Sequence, residues 1–276
     1  MKRFLRLLAR RFGYEFLHRT DDAVLQSLLD AYNDLRLSPR DLLRWDHRLA
    51  HLASLSHLRS QLHLHAIDLL IDVGANRGQF ALDARRAGYT GEMLSFEPLA
   101  AHQAHLSNLA ARDGRWRIFP CGLGATAAEL DLHVYHDDTF SSVLTVNPSA
   151  QNNFGHLVAL ERVERISIRT LDEILAEREI GPARRIFLKT DTQGYDADVL
   201  AGAADTLRQT LAVLTEATVA PLYDGSSRLE EINALLLPLG FARAGLFPIG
   251  YAPETHTLIE LDCFFCRPAS HISPPQ

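Results

Sequence analysis

The pattern of hydrophobic and polar positions changes once along the chain, near residue 66. Residues 1–65 show helical periodicity, in which apolar side chains recur every three or four positions among arginines and other polar residues. From residue 66 to residue 268, short apolar runs of strand length alternate with longer amphipathic segments. This alternation predicts a mainly parallel sheet with helices on both faces. We therefore predict a helical N-terminal extension (1–65), an α/β domain (66–268) and a disordered tail (269–276).

The apolar runs also predict where the strands lie. Five strands are expected at 69–73, 92–96, 116–121, 186–190 and 212–216, and an alternating stretch at 129–135 predicts an inserted hairpin arm. A helix is expected at 229–237, followed by two final strands at 241–247 and 257–267. Because no helix-length segment separates these last two strands, we expect them to pair antiparallel. In the extension, Pro39 is expected to open a helix that runs through Leu58.

A Gly-rich turn follows the first predicted strand, and an acidic residue follows the second. The turn runs from Gly74 through Asn76 to Gly78, and Glu97 lies 23 residues after Gly74. Glycine lets a ligand approach the backbone, and a carboxylate at Glu97 can accept hydrogen bonds from both hydroxyls of a ribose. The pattern predicts a nucleoside cofactor at the carboxyl edge of the sheet. The alternative is an ordinary strand-to-helix turn of another α/β protein.

The same turn distinguishes between cofactors. It lacks the GxGxxG spacing that places a pyrophosphate on the following helix, so a phosphate-free nucleoside fits better than a dinucleotide. Asp72, one residue inside the strand end, can bind an ammonium group directly or through water. A ligand that carries both a ribose and an amino-acid ammonium group is S-adenosylmethionine. An antiparallel hairpin at the end of a parallel sheet is also the layout of methyltransferases that use this cofactor.

Several motifs occur in an order and spacing that resemble the FkbM family of methyltransferases across residues 66–268. They are Ile71–Gly78, Phe96–Pro98, Arg169–Asp172, Leu188–Asp196 with Val199–Ala203, and Leu261–Phe265. The resemblance implies a class I methyltransferase (Rossmann-like) fold, with a seven-stranded, mostly parallel sheet and an antiparallel C-terminal hairpin. It also implies S-adenosylmethionine as methyl donor and O-methylation of sugars, glycans or related metabolites. Many members carry Asp-x-Glu-Gly-x-Glu where this chain has Gln193 in place of the first Glu.

The candidate site residues follow from these motifs. The predicted cofactor site contains Asp72, Gly74, Asn76, Gly78, Glu97 and Gly122. Asp191 ends a strand at the carboxyl edge, which makes it the candidate base or acceptor-orienting group. Asp196 is a second catalytic candidate, and the alternative is a charge that stabilises the first turn of a helix. Lys189 is predicted to pair with an acid and not to act in catalysis. Glu216 and the segment 221–223 are predicted to face the acceptor.

Metal and disulfide chemistry have weaker support in the sequence. The acids of His136–Asp138 can ligate a metal, but adjacent aspartates are more often solvated loop residues. His102 and His105 are spaced for chelation but lack a third ligand, so a surface location is expected. We predict that no metal is bound. Cys263 and Cys266 lie three positions apart in a strand and therefore on opposite faces, which predicts a buried structural role.

Net charge, the length of apolar runs and the cysteine content limit the possible binding partners and cellular location. A net charge of −6 and a pI near 6.1 argue against general nucleic-acid binding. Residues 1–20 carry an excess of basic side chains, which favours either weak contact with an anionic membrane surface or simple solvation. No apolar run is long enough to span a bilayer, and the three cysteines fit a reducing compartment, so we predict a cytoplasmic protein. The expected partner is a small-molecule or glycan acceptor. The oligomeric state is not predicted.

Two other functions remain open at this level. A nicotinamide-dependent oxidoreductase is disfavoured by the missing third glycine and by the terminal hairpin. A noncatalytic scaffold that keeps the fold is disfavoured by the presence of Asp72, Gly74, Glu97 and Asp191 together. The fold alone does not distinguish between these functions.

Overall fold

The structure is a computed structural model that describes residues 39–181 and 184–268. The predicted helices within residues 1–38, the basic segment 1–20 and the predicted tail 269–276 lie outside the described residues. Residues 43–276 belong to one unit of the chain, and residues 1–42 belong to another. Within the described part, no helix is long and apolar enough to cross a membrane.

Ten strands occur in the described part of the chain, in two sheets. They are β1 (Leu69–Val73), β2 (Glu92–Phe96), β3 (Trp116–Phe119), β4 (Gly122–Leu123), β5 (Ala128–Tyr135), β6 (Leu160–Arg169), β7 (Ile186–Thr190), β8 (Thr210–Thr218), β9 (Ala242–Tyr251) and β10 (Leu258–Cys266). The main sheet has the order β3-β2-β1-β7-β8-β10-β9. Its first five strands are parallel, and β10 pairs antiparallel with both β8 and β9. The second sheet has the order β4-β6-β5.

The described part also contains eight α-helices. They are α1 (Pro39–Leu64), α2 (Gln79–Arg86), α3 (Ala100–Asp113), α4 (Pro148–Phe154), α5 (Leu171–Glu177), α6 (Asp196–Ala201), α7 (Ala204–Gln209) and α8 (Leu229–Leu236). The start of α5 shows why these segments become helical. Thr170 accepts the backbone N–H of Glu173, and the Glu173 carboxylate accepts the backbone N–H of Thr170. This capping box satisfies two donors that a helix start leaves free.

The core occupies both faces of the main sheet. All five residues of β1 are buried, as expected for a central strand that is covered on both sides. Leu69, Ile71 and Val73 pack on one face, whereas Leu70 packs on the other face with Leu58 of α1. Because both faces of the sheet are covered, polar groups of its central strands reach solvent at the strand ends. Most of the predicted site residues lie at or just after these ends.

The structure confirms the predicted fold class, and several strand boundaries agree with the sequence. Strands β1, β2 and β7 have the predicted limits, and the last two strands pair antiparallel. The strand predicted at 116–121 is interrupted, because Pro120 has no N–H to donate to a ladder and the chain turns into the second sheet at Gly122. The predicted arm at 129–135 is present as β5, and its antiparallel partner is β6.

Candidate active site

The carboxyl ends of β1, β2 and β7 surround a cavity of about 400 Å³, here called the first cavity. Its lining includes five of the predicted site residues: Gly74, Asn76, Glu97, Gly122 and Asp191. Asp72, Gly78 and Asp196 do not line it. The turn after β1 and the residue after β2 are brought together because β1 and β2 are parallel neighbours in the sheet. The size is typical of a pocket for a cofactor or small ligand.

Glu97 is a fixed carboxylate in the wall of the first cavity. Its side chain is 6% exposed. Oε2 accepts the backbone N–H of Asn76 at 2.7 Å, and Oε1 accepts the backbone N–H of Leu99 at 2.8 Å. Burial raises the pKa of Glu97 to about 7, although these two N–H groups act in the opposite direction. The carboxylate is therefore held in one position with remaining lone pairs for a ligand hydroxyl.

Asp72 lies beneath the turn and has a protein partner. It is fully buried, and Nζ of Lys189 lies 3.0 Å from its Oδ1. Ser95 donates its hydroxyl to Oδ2 at 3.2 Å. This geometry differs from the predicted contact with a cofactor ammonium group, because Lys189 supplies that positive charge from the neighbouring strand. The prediction that Lys189 pairs with an acid is confirmed.

Lys189 links this buried pair to the cavity. Its Nζ donates to the carbonyl oxygen of Gly74 at 3.0 Å and lies 3.6 Å from Oδ2 of Asp191. Burial acts to lower the pKa of Lys189, but the carboxylates of Asp72 and Asp191 raise it above its ordinary value. The lysine stays charged and fixes the turn after β1 against the end of β7.

Gly74 and Gly78 of the turn must be glycines because neighbouring protein atoms leave no room for a Cβ. Gly74 has φ of +76°, and a Cβ there would overlap the backbone oxygen of Asp191. Gly78 has φ of +85°, and a Cβ there would lie 2.8 Å from the Trp116 ring. The prediction gave these glycines a ligand-contact role. The structure gives them a packing role, and only Gly74 also faces the first cavity.

Asp191 lies at the rim of the first cavity in a hydrogen-bonded group. Nε2 of Gln193 donates to Oδ1 of Asp191 at 3.1 Å and to Oε2 of Glu216 at 3.2 Å. The hydroxyl of Tyr223 lies 3.0 Å from Oε1 of Gln193 and 2.8 Å from the carbonyl oxygen of Phe140. Gln193 therefore bridges two carboxylates, with its amide oriented by a buried tyrosine.

Asp196 occupies the first position of α6 and lines neither cavity of this site. It is fully buried, and its Oδ2 accepts the backbone N–H of Thr192 at 3.4 Å. Burial, together with the charge of Asp191, raises the pKa of Asp196 to about 6. This placement favours the alternative of a charge in the first turn of a helix, which braces the segment after β7.

A second cavity of about 740 Å³ adjoins the first. The two cavities share Thr139, Gln193 and Ile249 in their walls. Apart from Gly250, the remaining lining of the second cavity combines aromatic and charged side chains: Arg48, Phe140, Phe154, Glu216, Tyr251 and Glu260. Glu216 therefore faces a cavity, as predicted. In the segment 221–223, Tyr223 contributes through Gln193 and does not line the second cavity directly.

The loop at residues 136–142 forms one side of the first cavity. Asp138, Thr139 and Ser142 line it, and Arg77, which is outside this lining, donates to Oδ2 of Asp138 at 2.7 Å. His136 instead lies 2.9 Å from Glu161. Over the described ranges, no group of three or more His, Cys, Asp or Glu side chains is arranged to hold a metal ion.

The histidine pair on α3 and the cysteine pair on β10 differ in burial. The surface location expected for His102 is wrong, because this side chain is 4% exposed and its Nε2 lies 3.5 Å from Asp138. Burial lowers its pKa. His105 is exposed as expected. Cys263 is fully buried and Cys266 is half-buried, and both are free thiols.

Three further residues face these cavities and do not follow from the sequence motifs. They are Gln193, which the sequence marks only as a departure from a family motif, and Glu260 and Asp262 on β10. The last two alternate with Ile259, Leu261 and Cys263 on β10. Acidic residues at every second position of an otherwise apolar strand are a detectable signal, because one face of that strand must meet a polar environment.

The sequence profile of the methyltransferase FkbM domain matches residues 72–243. The chain belongs to this family. Among known relatives, it is 25% identical to 2-O-methyltransferase NoeI of Sinorhizobium fredii (strain NBRC 101917 / NGR234), over 66% of this chain and 75% of that protein. It is 28% identical to 31-O-demethyl-FK506 methyltransferase FkbM of Streptomyces tacrolimicus, over 67% of this chain and 76% of that protein.

Solved structures include methyltransferase FkbM from Methylobacillus flagellatus KT, with 17% sequence identity and a TM-score of 0.45. That match covers 71% of this chain and 43% of the other. Family membership makes the chain an FkbM-type methyltransferase with S-adenosylmethionine as methyl donor, as the sequence motifs predicted. This result replaces the two alternatives, a nicotinamide-dependent oxidoreductase and a noncatalytic scaffold.

The residues of the first cavity fit this cofactor. The buried Glu97 carboxylate is suited to hydroxyls of a ribose, and Phe96, Leu99 and Val143 give the same cavity apolar walls for a base. Asn76 and Gly74 present backbone at the turn. When bound, S-adenosylmethionine supplies an electrophilic methyl group on a sulfonium.

Proposed function

We propose that this enzyme transfers the methyl group to a hydroxyl of a sugar, glycan or related hydroxylated metabolite held in the second cavity. The observation that carries this proposal is the junction of the two cavities at Thr139, Gln193 and Ile249. An acceptor in the second cavity has access there to a donor in the first. Asp191 stands at this junction through its hydrogen bond to Gln193.

The walls of the second cavity support a hydroxylated acceptor. Phe140, Phe154 and Tyr251 offer apolar surface against which a ring can pack. Glu216 and Glu260 supply hydrogen-bond acceptors. Gln193 also lines the cavity and links Glu216 to Asp191 by hydrogen bonds. Such a mixture of apolar area with a few polar groups is typical of sites that orient a small polar ligand. Two relatives, a 2-O-methyltransferase and a 31-O-demethyl-FK506 methyltransferase, are named for transfer to oxygen, which supports the same reaction here.

Asp191 is the group proposed to orient and deprotonate the hydroxyl. Methyl transfer is an in-line displacement, so much of the rate enhancement comes from holding the acceptor oxygen in the correct direction. The hydroxyl must also lose its proton, and Asp191 is a partly exposed carboxylate at the junction. Lys189 at 3.6 Å and Gln193 at 3.1 Å restrict the positions that its carboxylate can adopt.

The proposal is tested with the purified full chain, S-adenosylmethionine labelled in the methyl group, and a panel of monosaccharides, amino sugars and polyols. Formation of S-adenosylhomocysteine identifies the acceptors, and NMR of the product locates the methyl group. We expect the label on oxygen. A label on nitrogen or carbon, or turnover that is independent of any hydroxylated compound, would contradict the proposal.

We further propose that the enzyme works in the cytoplasm and needs no metal. All three cysteines are free thiols, which agrees with a reducing compartment. Detection of the protein in cytoplasmic and membrane fractions of its host cell tests the location, and recovery mainly in the membrane fraction or outside the cell would reject it.

A further inference from the structure

The second cavity contains two carboxylates that face the same space. Glu216 lies on β8, and Glu260 lies on the antiparallel neighbour β10, two residues before the position opposite Glu216. Side chains at positions 216, 260 and 262 therefore lie on one face of the sheet. Glu216 is only 7% exposed, and Gly250 stands opposite Glu260 on β9. A Cβ at Gly250 would lie 3.1 Å from Oε2 of Glu260, so this glycine leaves the carboxylate open.

Neither carboxylate has a cationic partner within residues 48–181 and 184–268. Among the described residues, no Lys, Arg or His forms an ion pair with Glu216 or Glu260. Oε2 of Glu216 accepts a hydrogen bond from Gln193, whereas its Oε1 has no partner among those residues. Arg48 is exposed where it lines the cavity. Lys189, a buried cation at the end of β7, is already paired with Asp72.

Two further carboxylates lie close to this pair. Asp262 is opposite Glu216 across the β8–β10 ladder, and Gln193 joins Asp191 to the same carboxylate. Like charges directly opposite each other on a sheet are unfavourable. Burial raises the pKa of Glu260 to about 7, and burial with the charges of Glu260 and Asp191 raises that of Glu216 well above its usual range. Near neutral pH these raised pKa values keep protons on the pair, and a cationic ligand would favour the ionised carboxylates instead.

Aromatic side chains in the second cavity are also suited to a cationic ligand. Phe140, Phe154 and Tyr251 line the cavity together with the two glutamates. Aromatic faces attract ammonium groups, and carboxylates form charge-assisted hydrogen bonds with them. A neutral polyol would satisfy the hydrogen bonds but would not stabilise the ionised form of either carboxylate.

We propose that the acceptor carries a protonated amine in addition to the hydroxyl that is methylated, and that Glu216 and Glu260 bind this ammonium group. The acceptor class is thus an amino sugar or another amino alcohol. This inference rests on the proposed transfer of the methyl group to an acceptor in the second cavity, and it adds the charge of that acceptor.

The test compares charged and neutral forms of one molecule. Calorimetry on the full chain saturated with S-adenosylhomocysteine measures binding of glucosamine against N-acetylglucosamine, and of galactosamine against N-acetylgalactosamine. We expect at least one amine to bind about 10- to 100-fold more tightly than its acetylated form, the range for a charge-assisted contact. Glu260→Gln should remove most of that preference. Glu254→Gln, which changes an exposed acid between β9 and β10, should keep it.

Both variants are first checked for unchanged thermal unfolding and unchanged binding of S-adenosylhomocysteine. Equal binding of charged and acetylated forms, no binding of any amine, or a preference that survives Glu260→Gln would overturn the inference. The outcomes also separate it from the proposed function. Methylation of neutral sugars on oxygen without amine binding rejects only the ammonium site. Amine binding that depends on Glu260, without methyl transfer to oxygen, rejects the proposed function and leaves the ammonium site in place. Methylation of the amine nitrogen itself rejects both, because the nucleophile must then be a neutral amine at the junction.

Discussion

Replacement of Lys189 by methionine should destabilise the protein strongly. Methionine keeps much of the volume of the side chain but removes the ammonium group that lies 3.0 Å from Asp72. Asp72 is 0% exposed, so its carboxylate would remain buried, and of the side chains that the structure describes only the hydroxyl of Ser95 would donate to it. The carbonyl oxygen of Gly74 would lose its donor as well.

The magnitude follows from the burial of this pair. Removal of one partner from a buried ion pair costs about 3–5 kcal/mol, because an uncompensated charge is left in the interior. For a domain of this size, such a loss lowers Tm by roughly 6–20 °C. Urea unfolding followed by circular dichroism gives the free energy of unfolding for the wild type and the variant.

Two further variants test whether the loss of stability in Lys189→Met comes from the buried ion pair. The double variant Asp72→Asn/Lys189→Met should recover at least about 1 kcal/mol, because the stranded charge is gone. Arg208→Met breaks an exposed pair with Asp205 at 2.6 Å and should change stability by less than about 0.5 kcal/mol. A loss below about 1 kcal/mol for Lys189→Met, or no recovery in the double variant, would refute the bracing role of this ion pair.

Four further outcomes are expected. Glu97→Ala should weaken S-adenosylmethionine binding by about 1.5–3 kcal/mol in calorimetry, as for hydrogen bonds to a charged group, and unchanged affinity would reject the ribose contact. Because ribose hydroxyls donate to the ionised carboxylate and the pKa of Glu97 is raised to about 7, affinity should fall as the pH drops from 8 to 6, and Glu97→Gln should abolish that slope. Asp191→Asn should lower single-turnover methyl transfer by ~10²-fold or more with unchanged Tm, whereas a bracing role would lower Tm and spare the chemical step. Exhaustive chelation should leave turnover intact, and restoration by magnesium after a loss would point to the loop at 136–138.

The sequence predicts the central strands well because their signal is local. β1, β2 and β7 are short, mainly apolar runs that lie between polar turns, and burial on both faces makes most of each run hydrophobic. β6 has no such signal, since its first half is exposed and charged and its partner β5 lies about 30 residues earlier. Pairing over that separation depends on tertiary context, which a single sequence does not contain.

Individual site residues show the same limit. Glu97 and Asp191 were found because they follow strand ends, and the topology brings strand ends together. The partner of Asp72 was not found, because Lys189 lies 117 positions away in the chain and becomes a neighbour only through the pairing of β1 with β7. The bridge that Gln193 makes between Asp191 and Glu216 likewise depends on side-chain positions that spacing does not determine.

A crystal structure of the full chain with S-adenosylhomocysteine tests the arrangement of the two cavities most directly. We predict that the nucleoside lies in the first cavity with its ribose hydroxyls within hydrogen-bond distance of Glu97, and that the sulfur faces the junction at Gln193 and Asp191. A nucleoside bound in the second cavity, or a sulfur directed away from that junction, would contradict the proposed path of the methyl group.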